Sequence, residues 1–336
     1  MRGVLPLLLE PLGLNVPLIY LTIFIGGSLL MVWRLEAMLD HGLEGTALGT
    51  IVMPYCSGLP NLLFVFIVAR QADAAREVLT NALVNNVSNL TLLLGLPALL
   101  WGLDVLPPAK GGKGGKKAAV SLVGAQLNRL SLMLTLAAVL FFTGATWLLA
   151  DDGQLSRVDG LLLVGIFLFW QTFNVFEVLK RNVQQRVSFG GMFYVDLLIV
   201  LVSAWALYES IDWLVAWLDR QDGGFINAAN LGWLSGWLMV LPNALLALYW
   251  AQRRRADVVY SSQVGDGHIC IPLCIGVLAV IVPVTVPAFF VTGLLLLLGT
   301  VAAHAVFLLL FGGLPRWAGA VLLVAYGWFV WAGFLS

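Results

Sequence analysis

Ten apolar stretches of about 20 residues or more recur along the 336-residue chain, at 15–35, 45–69, 77–102, 125–149, 158–178, 190–217, 227–251, 258–282, 284–311 and 315–334. About 20 mostly apolar residues in a helix cross the hydrocarbon core of a bilayer. Inside that solvent every backbone polar group needs an internal partner, so runs this long and continuous are read as helices. The chain is 60% hydrophobic and only 11% charged, against about 25% charged in a soluble domain. The expected fold is therefore an all-α polytopic membrane protein of ten spans in contact with the lipid bilayer. Connections are short, and the one flexible linker is Pro107-Pro108-Ala109 followed by the lysine–glycine run 110–117.

The same composition excludes several function classes. Eighteen Lys+Arg balance eighteen Asp+Glu, so no charge imbalance points to nucleic acid. Three cysteines are too few for a disulfide framework. No phosphate loop, nucleotide motif or hydrolase triad stands out, so neither an enzyme nor a cofactor is expected. Pro6, Glu10 and Pro11 interrupt the N-terminal apolar stretch, which does not read as a signal peptide. Lys and Arg are split unevenly between the two sets of loops, five on the N-terminal side and thirteen on the other. That bias places the basic loops in the cytoplasm and both termini outside. The expected location is a bacterial inner (cell) membrane.

An internal repeat comes next. Leu59-Pro60-Asn61 recurs as Leu241-Pro242-Asn243, 182 residues later, and each copy leads through an apolar helix to a glycine, Gly95 or Gly276. Each block covers the second and third spans of a five-span half. Five is odd, so the second half must enter the membrane inverted relative to the first. Inverted repeats are the architecture of secondary transporters, whose site lies at the midplane where the halves meet.

These blocks resemble the two alpha repeats of the cation/calcium exchanger superfamily, in which sodium/calcium and proton/calcium exchangers have ten spans as five plus five. The family pattern is roughly T-S-x-P-E on one helix and G-N-x-x-G-S-N-x-x-N, then a glycine, on the next. Here the first repeat reads Ser57-Gly58-Leu59-Pro60-Asn61, with Asn81, Asn86, Asn89 and Gly95 matching on the following helix; Gly265 and Gly276 match in the second. The resemblance implies an N-terminal region 1–150 holding the first alpha repeat (about 45–102), with span five running to about 178. It implies an inverted region 179–336 holding the second repeat (about 227–282). It also implies an antiporter of inorganic cations, with spans one and six rocking past the repeat core.

The ligand positions depart from the family. Its acidic residue after Pro is an amide in both repeats, Asn61 and Asn243, and its later ligands correspond to Asn85 and Asn89, and to Asp266 and Cys270. Calcium wants six to eight oxygens, usually with carboxylates among them. At about 4 Å and an effective dielectric near 20 a unit charge pair is worth ~4 kcal/mol, and twice that against a divalent ion. The resemblance thus implies a carboxylate-poor cation site of Ser57, Asn61, Asn85, Asn89, Asn243, Asp266 and Cys270, unsuited to ordinary high-affinity Ca²⁺. Na⁺, Ca²⁺, H⁺ or another cation is the expected cargo.

Asp266 is an acid well inside a membrane span, which marks it as a cation or proton ligand; the alternative is a solvated helix cap near Gly265 and Gly267. Four asparagines in nine residues, Asn81, Asn85, Asn86 and Asn89, either line a polar path or bond between helices. Asp266, Cys270 and Cys274 share one drifting face, with His268 opposite and Cys56 beside the first repeat. Sulfur and imidazole select zinc or copper(I), so a transition-metal transporter is a second alternative, although such cysteines more often pack as small hydrophobes. His304 is read as a satisfied packing residue. The main rival to an antiporter is a non-transporting exchanger-fold subunit or scaffold of a membrane complex.

Overall fold

The computed structural model describes residues 3–40, 53–69, 75–106, 116–182, 191–221 and 223–335. After a short helix at Val4–Leu9 the first half contains α1 (Pro17–Asp40), α2 (Met53–Val68), α3 (Ala75–Trp101), α4 (Lys116–Leu149) and α5 (Arg157–Asn182). The second half contains α6 (Gly191–Leu218), α7 (Leu231–Gln252), α8 (Ala256–Ile281), α9 (Ala288–Phe311) and α10 (Arg316–Leu335). Among the described residues nine helices are long and apolar enough to cross a membrane, and α2 supplies a shorter apolar stretch, Gly58–Val68. These ten helices match the ten predicted spans. Residues 45–52 of the second span, most of the lysine–glycine linker and most of the α5–α6 connection lie outside the described residues.

The repeat seen in the sequence is present in the backbone. Pro60 and Pro242 each sit inside a helix, α2 and α7, where proline cannot donate to the carbonyl four residues back. Each of the next helices contains one five-residue π turn, Ser88–Leu92 in α3 and Cys270–Cys274 in α8. The two turns begin 182 residues apart, the same offset as the Leu-Pro-Asn copies. The repeat-ending glycines mark close helix crossings. A Cβ on Gly319 of α10 would stand 2.5 Å from the Gly95 carbonyl oxygen, and one on Gly160 of α5 would stand 2.6 Å from that of Gly276. Only glycine permits backbones to approach that closely.

Among the described residues, four two-residue strands complete the symmetry. Strand β1 (Leu103–Asp104), after α3, pairs antiparallel with β4 (Gly313–Leu314), after α9. Strand β2 (Gln154–Leu155), after α4, pairs with β3 (Val284–Thr285), after α8. Shifting every element by five spans turns one ladder into the other. Odd and even spans run in opposite senses, so the two ladders lie at opposite ends of the bundle.

Burial sorts the helices into layers. Most of α3 and α8 is buried, whereas α5, α6 and α10 leave most of their length exposed, with Phe169, Leu198 and Val324 among the outward apolar side chains. Buried polar residues concentrate on the repeat helices: Asn61, Asn81, Asn85, Asn86, Asn89, Asn243, Gln263 and Asp266. Helices α1 and α6 form an antiparallel pair of their own. Tyr20 stacks on Trp213 with ring centroids 4.0 Å apart, and toward the other end Arg34 meets the buried Asp196 at 3.5 Å.

Candidate functional site

The centre is assembled by α3, α7 and α8. In the four repeat helices α2, α3, α7 and α8 the acidic residues are Glu77 and Asp257, in first turns, and Asp266, deep in α8 and fully buried. Asp266 Oδ2 accepts from Asn89 Nδ2 at 2.9 Å and from Asn243 Nδ2. The two donors come from opposite repeats. Asn89 Nδ2 also reaches Asn85 Oδ1, one turn earlier, at 3.2 Å, and the Cys270 thiol lies 3.9 Å from that same oxygen. Five of the seven residues singled out from the sequence thus join one buried hydrogen-bonded chain: Asn85, Asn89, Asn243, Asp266 and Cys270.

The remaining two do not join it. Asn61 is buried on α2, and neither its Oδ1 nor its Nδ2 has a hydrogen-bond partner. Ser57 falls in the same helix with its side chain outside the described residues, as does Cys56. Asn243 turns its N–H toward the carboxylate. An amide beside an ionised acid gains most by donating.

The other candidates divide. Asn81 bonds across to α7, from Nδ2 to Ser235 Oγ at 2.9 Å, with Met239 Sδ at 3.5 Å. Asn86 bonds back to Ala82 O in its own helix at 2.7 Å, which leaves Oδ1 buried without a partner. His268 packs away from the centre between Phe142 and Trp170, with ring centroids 6.1 and 5.9 Å away. Among the described residues no group of three or more His, Cys, Asp or Glu is arranged to hold a metal ion. His304 is satisfied by hydrogen bonds: Tyr260 OH lies 3.2 Å from Nδ1, and Nε2 lies 2.8 Å from Leu90 O. Leu90 belongs to the π turn of α3, so His304 ties α9 to that turn.

Sequence reasoning missed two contributors. Gln263, three residues before Asp266 and fully buried, lies 3.5 Å from the Asn243 carbonyl through Nε2, while its Oε1 is unpartnered. Its signal was present, since a glutamine inside an apolar span on the approach to Asp266 asks for a reason. Glu77 Oε2 accepts from the Gly232 backbone N–H at 2.8 Å and thereby ties α3 to the start of α7.

Residues 14–176 match the family model described as sodium/calcium exchanger protein. The fold is similar to that of the sodium-calcium exchanger NCX_Mj. Its structure soaked with 2.5 mM Na⁺ and 1 mM Sr²⁺ aligns at a TM-score of 0.63 and 18% identity, covering 92% of this chain and 94% of that one. Its structure soaked with zero Na⁺ and Ca²⁺ aligns at 0.60 and 18% identity over the same shares. Among curated proteins no sequence match is found.

Proposed function

We propose that this exchanger-like membrane protein of the cation/calcium exchanger superfamily is a secondary cation antiporter working on a single-carboxylate site. The observation that carries the reading is Asp266, fully buried and held by amides from both repeats, Asn89 and Asn243. A buried charge that only stabilised the fold would be a costly choice, because replacing such polar groups with apolar ones is often neutral or favourable. One negative charge matches a monovalent cation, leaving a neutral centre. A divalent ion would leave a net positive charge in a dry core, so Na⁺ or K⁺ fits better than Ca²⁺. Oxygen ligands for the ion come from Asp266 and, once their carboxamides turn over, from Asn89 and Asn243, with Asn85 Oδ1 adjacent and Asn61 and Ser57 contributed by α2.

Alternating access follows from the packing. The α1–α6 pair, joined by Tyr20–Trp213 and Arg34–Asp196, is expected to rock as a unit against the repeat core. Both termini are assigned to the outside, in a bacterial inner membrane, on the basic-loop asymmetry. The amides at both of the family's carboxylate positions favour a second reading, a subunit that keeps the fold without transport.

Ion flux in proteoliposomes separates the two. Na⁺, K⁺, Ca²⁺, Mn²⁺ and Zn²⁺ are screened under sodium and proton gradients, with Asp266→Asn as the control. Gradient-driven flux lost in the variant supports the antiporter. Absence of flux for every ion from correctly folded wild-type protein favours the scaffold.

A further inference from the structure

We infer that this carrier reorients without a transported cation, so that net cation movement proceeds beside exchange; the inference rests on the transport reading above. An alternating-access carrier is strictly coupled only when its unloaded form cannot close and cross. The usual obstacle is electrostatic: a carboxylate in a closing, dehydrating core has lost water and gained nothing in return.

That obstacle is lowered here by donors built into the chain. Asp266 Oδ2 accepts N–H groups from Asn89 on α3 and Asn243 on α7, and all three residues are buried, at 0%, 0% and 6% exposure. Hydrogen bonds to an ionised acceptor are about twice as strong as neutral ones. These two draw together the same three helices that a cation between them would draw together. A cation that takes Oδ2 competes with the two N–H groups for it. Exchange between the two arrangements needs only rotation of each carboxamide about its terminal torsion, which is broad and nearly two-fold.

The neighbouring groups suit such a turnover. Asn89 Oδ1 is buried with no hydrogen-bond partner, as are Asn85 Nδ2 and Gln263 Oε1. The centre therefore holds spare acceptors and a spare donor beside the carboxylate. With its own donors in place, closure of the core is not conditional on cargo. The unloaded centre carries one negative charge and the centre loaded with a monovalent cation carries none, so each net transfer moves one charge across the membrane.

The test uses the full chain in proteoliposomes loaded with ²²Na⁺, diluted either into equal external Na⁺ or into Na⁺-free choline medium with K⁺ and valinomycin to clamp the voltage. Efflux into Na⁺-free medium is expected within about threefold of exchange, and at least about tenfold slower when valinomycin is omitted, because one uncompensated charge per cycle builds an opposing potential. Asn243→Leu, which removes one charge-assisted donor, lowers the ratio of Na⁺-free efflux to exchange by about tenfold. Exchange with Na⁺-free efflux at the protein-free level overturns the inference and leaves the transport reading standing. Na⁺-free efflux that ignores valinomycin also overturns it, because a counter-ion then accompanies the return, either a proton, read by trapped pyranine, or K⁺, read by ⁸⁶Rb⁺ uptake. Absence of flux in both modes, for ²²Na⁺ and equally for ⁸⁶Rb⁺ as a K⁺ tracer, overturns the inference and the transport reading together.

Discussion

Set side by side, α3 and α8 share a backbone and differ in what they carry. Each follows a proline-bearing helix, holds one π turn and presents a glycine to a close crossing, Gly95 to α10 and Gly276 to α5. On that common frame α3 bears Asn81, Asn85, Asn86 and Asn89, all neutral, while α8 bears Asp266, Gln263, Cys270 and several glycines. The turns are stabilised differently too: His304 meets a carbonyl in the α3 turn, whereas the α8 turn contains Pro272, which removes a donor from the ladder. Symmetry has been kept where it sets geometry and abandoned where it sets charge. A centre built this way has one repeat supplying the carboxylate and both repeats supplying the amides that face it.

Six variants break or sharpen that contrast. The largest effect belongs to Asp266→Asn, which leaves both repeats with only neutral side chains at the buried centre. Gradient-driven flux is expected to fall about a hundredfold or more, consistent with loss of a ~4 kcal/mol charge pair, measured by isotope uptake in proteoliposomes. Next, Asn61→Glu combined with Asn243→Glu gives both repeats a carboxylate after proline. Ca²⁺ affinity, measured by ⁴⁵Ca²⁺ binding, should rise by about tenfold or more because two charges face a divalent ion.

Gly160→Ala and Gly319→Ala probe the shared frame. Each places a Cβ against backbone, 2.6 and 2.5 Å from a carbonyl oxygen, and each should cost about 2 kcal/mol of overpacking. The equality of the two losses in denaturant titrations of the detergent-solubilised protein tests the symmetry. The smallest effect separates the π turns. His304→Phe should cost about 1 kcal/mol by stranding Leu90 O. Pro272→Ala, which removes no hydrogen-bond donor, should cost less in the same titration.

The sequence made the frame legible because frames are periodic. Leu59-Pro60-Asn61 and its copy fix two helices, Gly95 and Gly276 fix two crossings, and apolar runs fix ten spans. Asp266 was visible as well, since an acid in hydrocarbon demands an account. The orientation of Asn243 was not, because which end of a carboxamide faces inward depends on a partner 23 residues away. Nor could a single sequence reveal that Asn81 would meet Ser235, or that His304 would bond a carbonyl 214 residues distant. Two-residue ladders have no periodicity to read. Their registers arise only after the helices have brought the connections together.

Those ladders have a consequence for how such a chain could have arisen. In each, one strand belongs to the first half and the other to the second: β1 with β4, and β2 with β3. Neither half closes a ladder alone, whereas two copies of one half, inserted head-down and head-up, would close both through the same pairing related by a two-fold axis. The present chain joins the two halves covalently, so they can differ at the centre, where one supplies Asp266 and the other supplies the amide of Asn89.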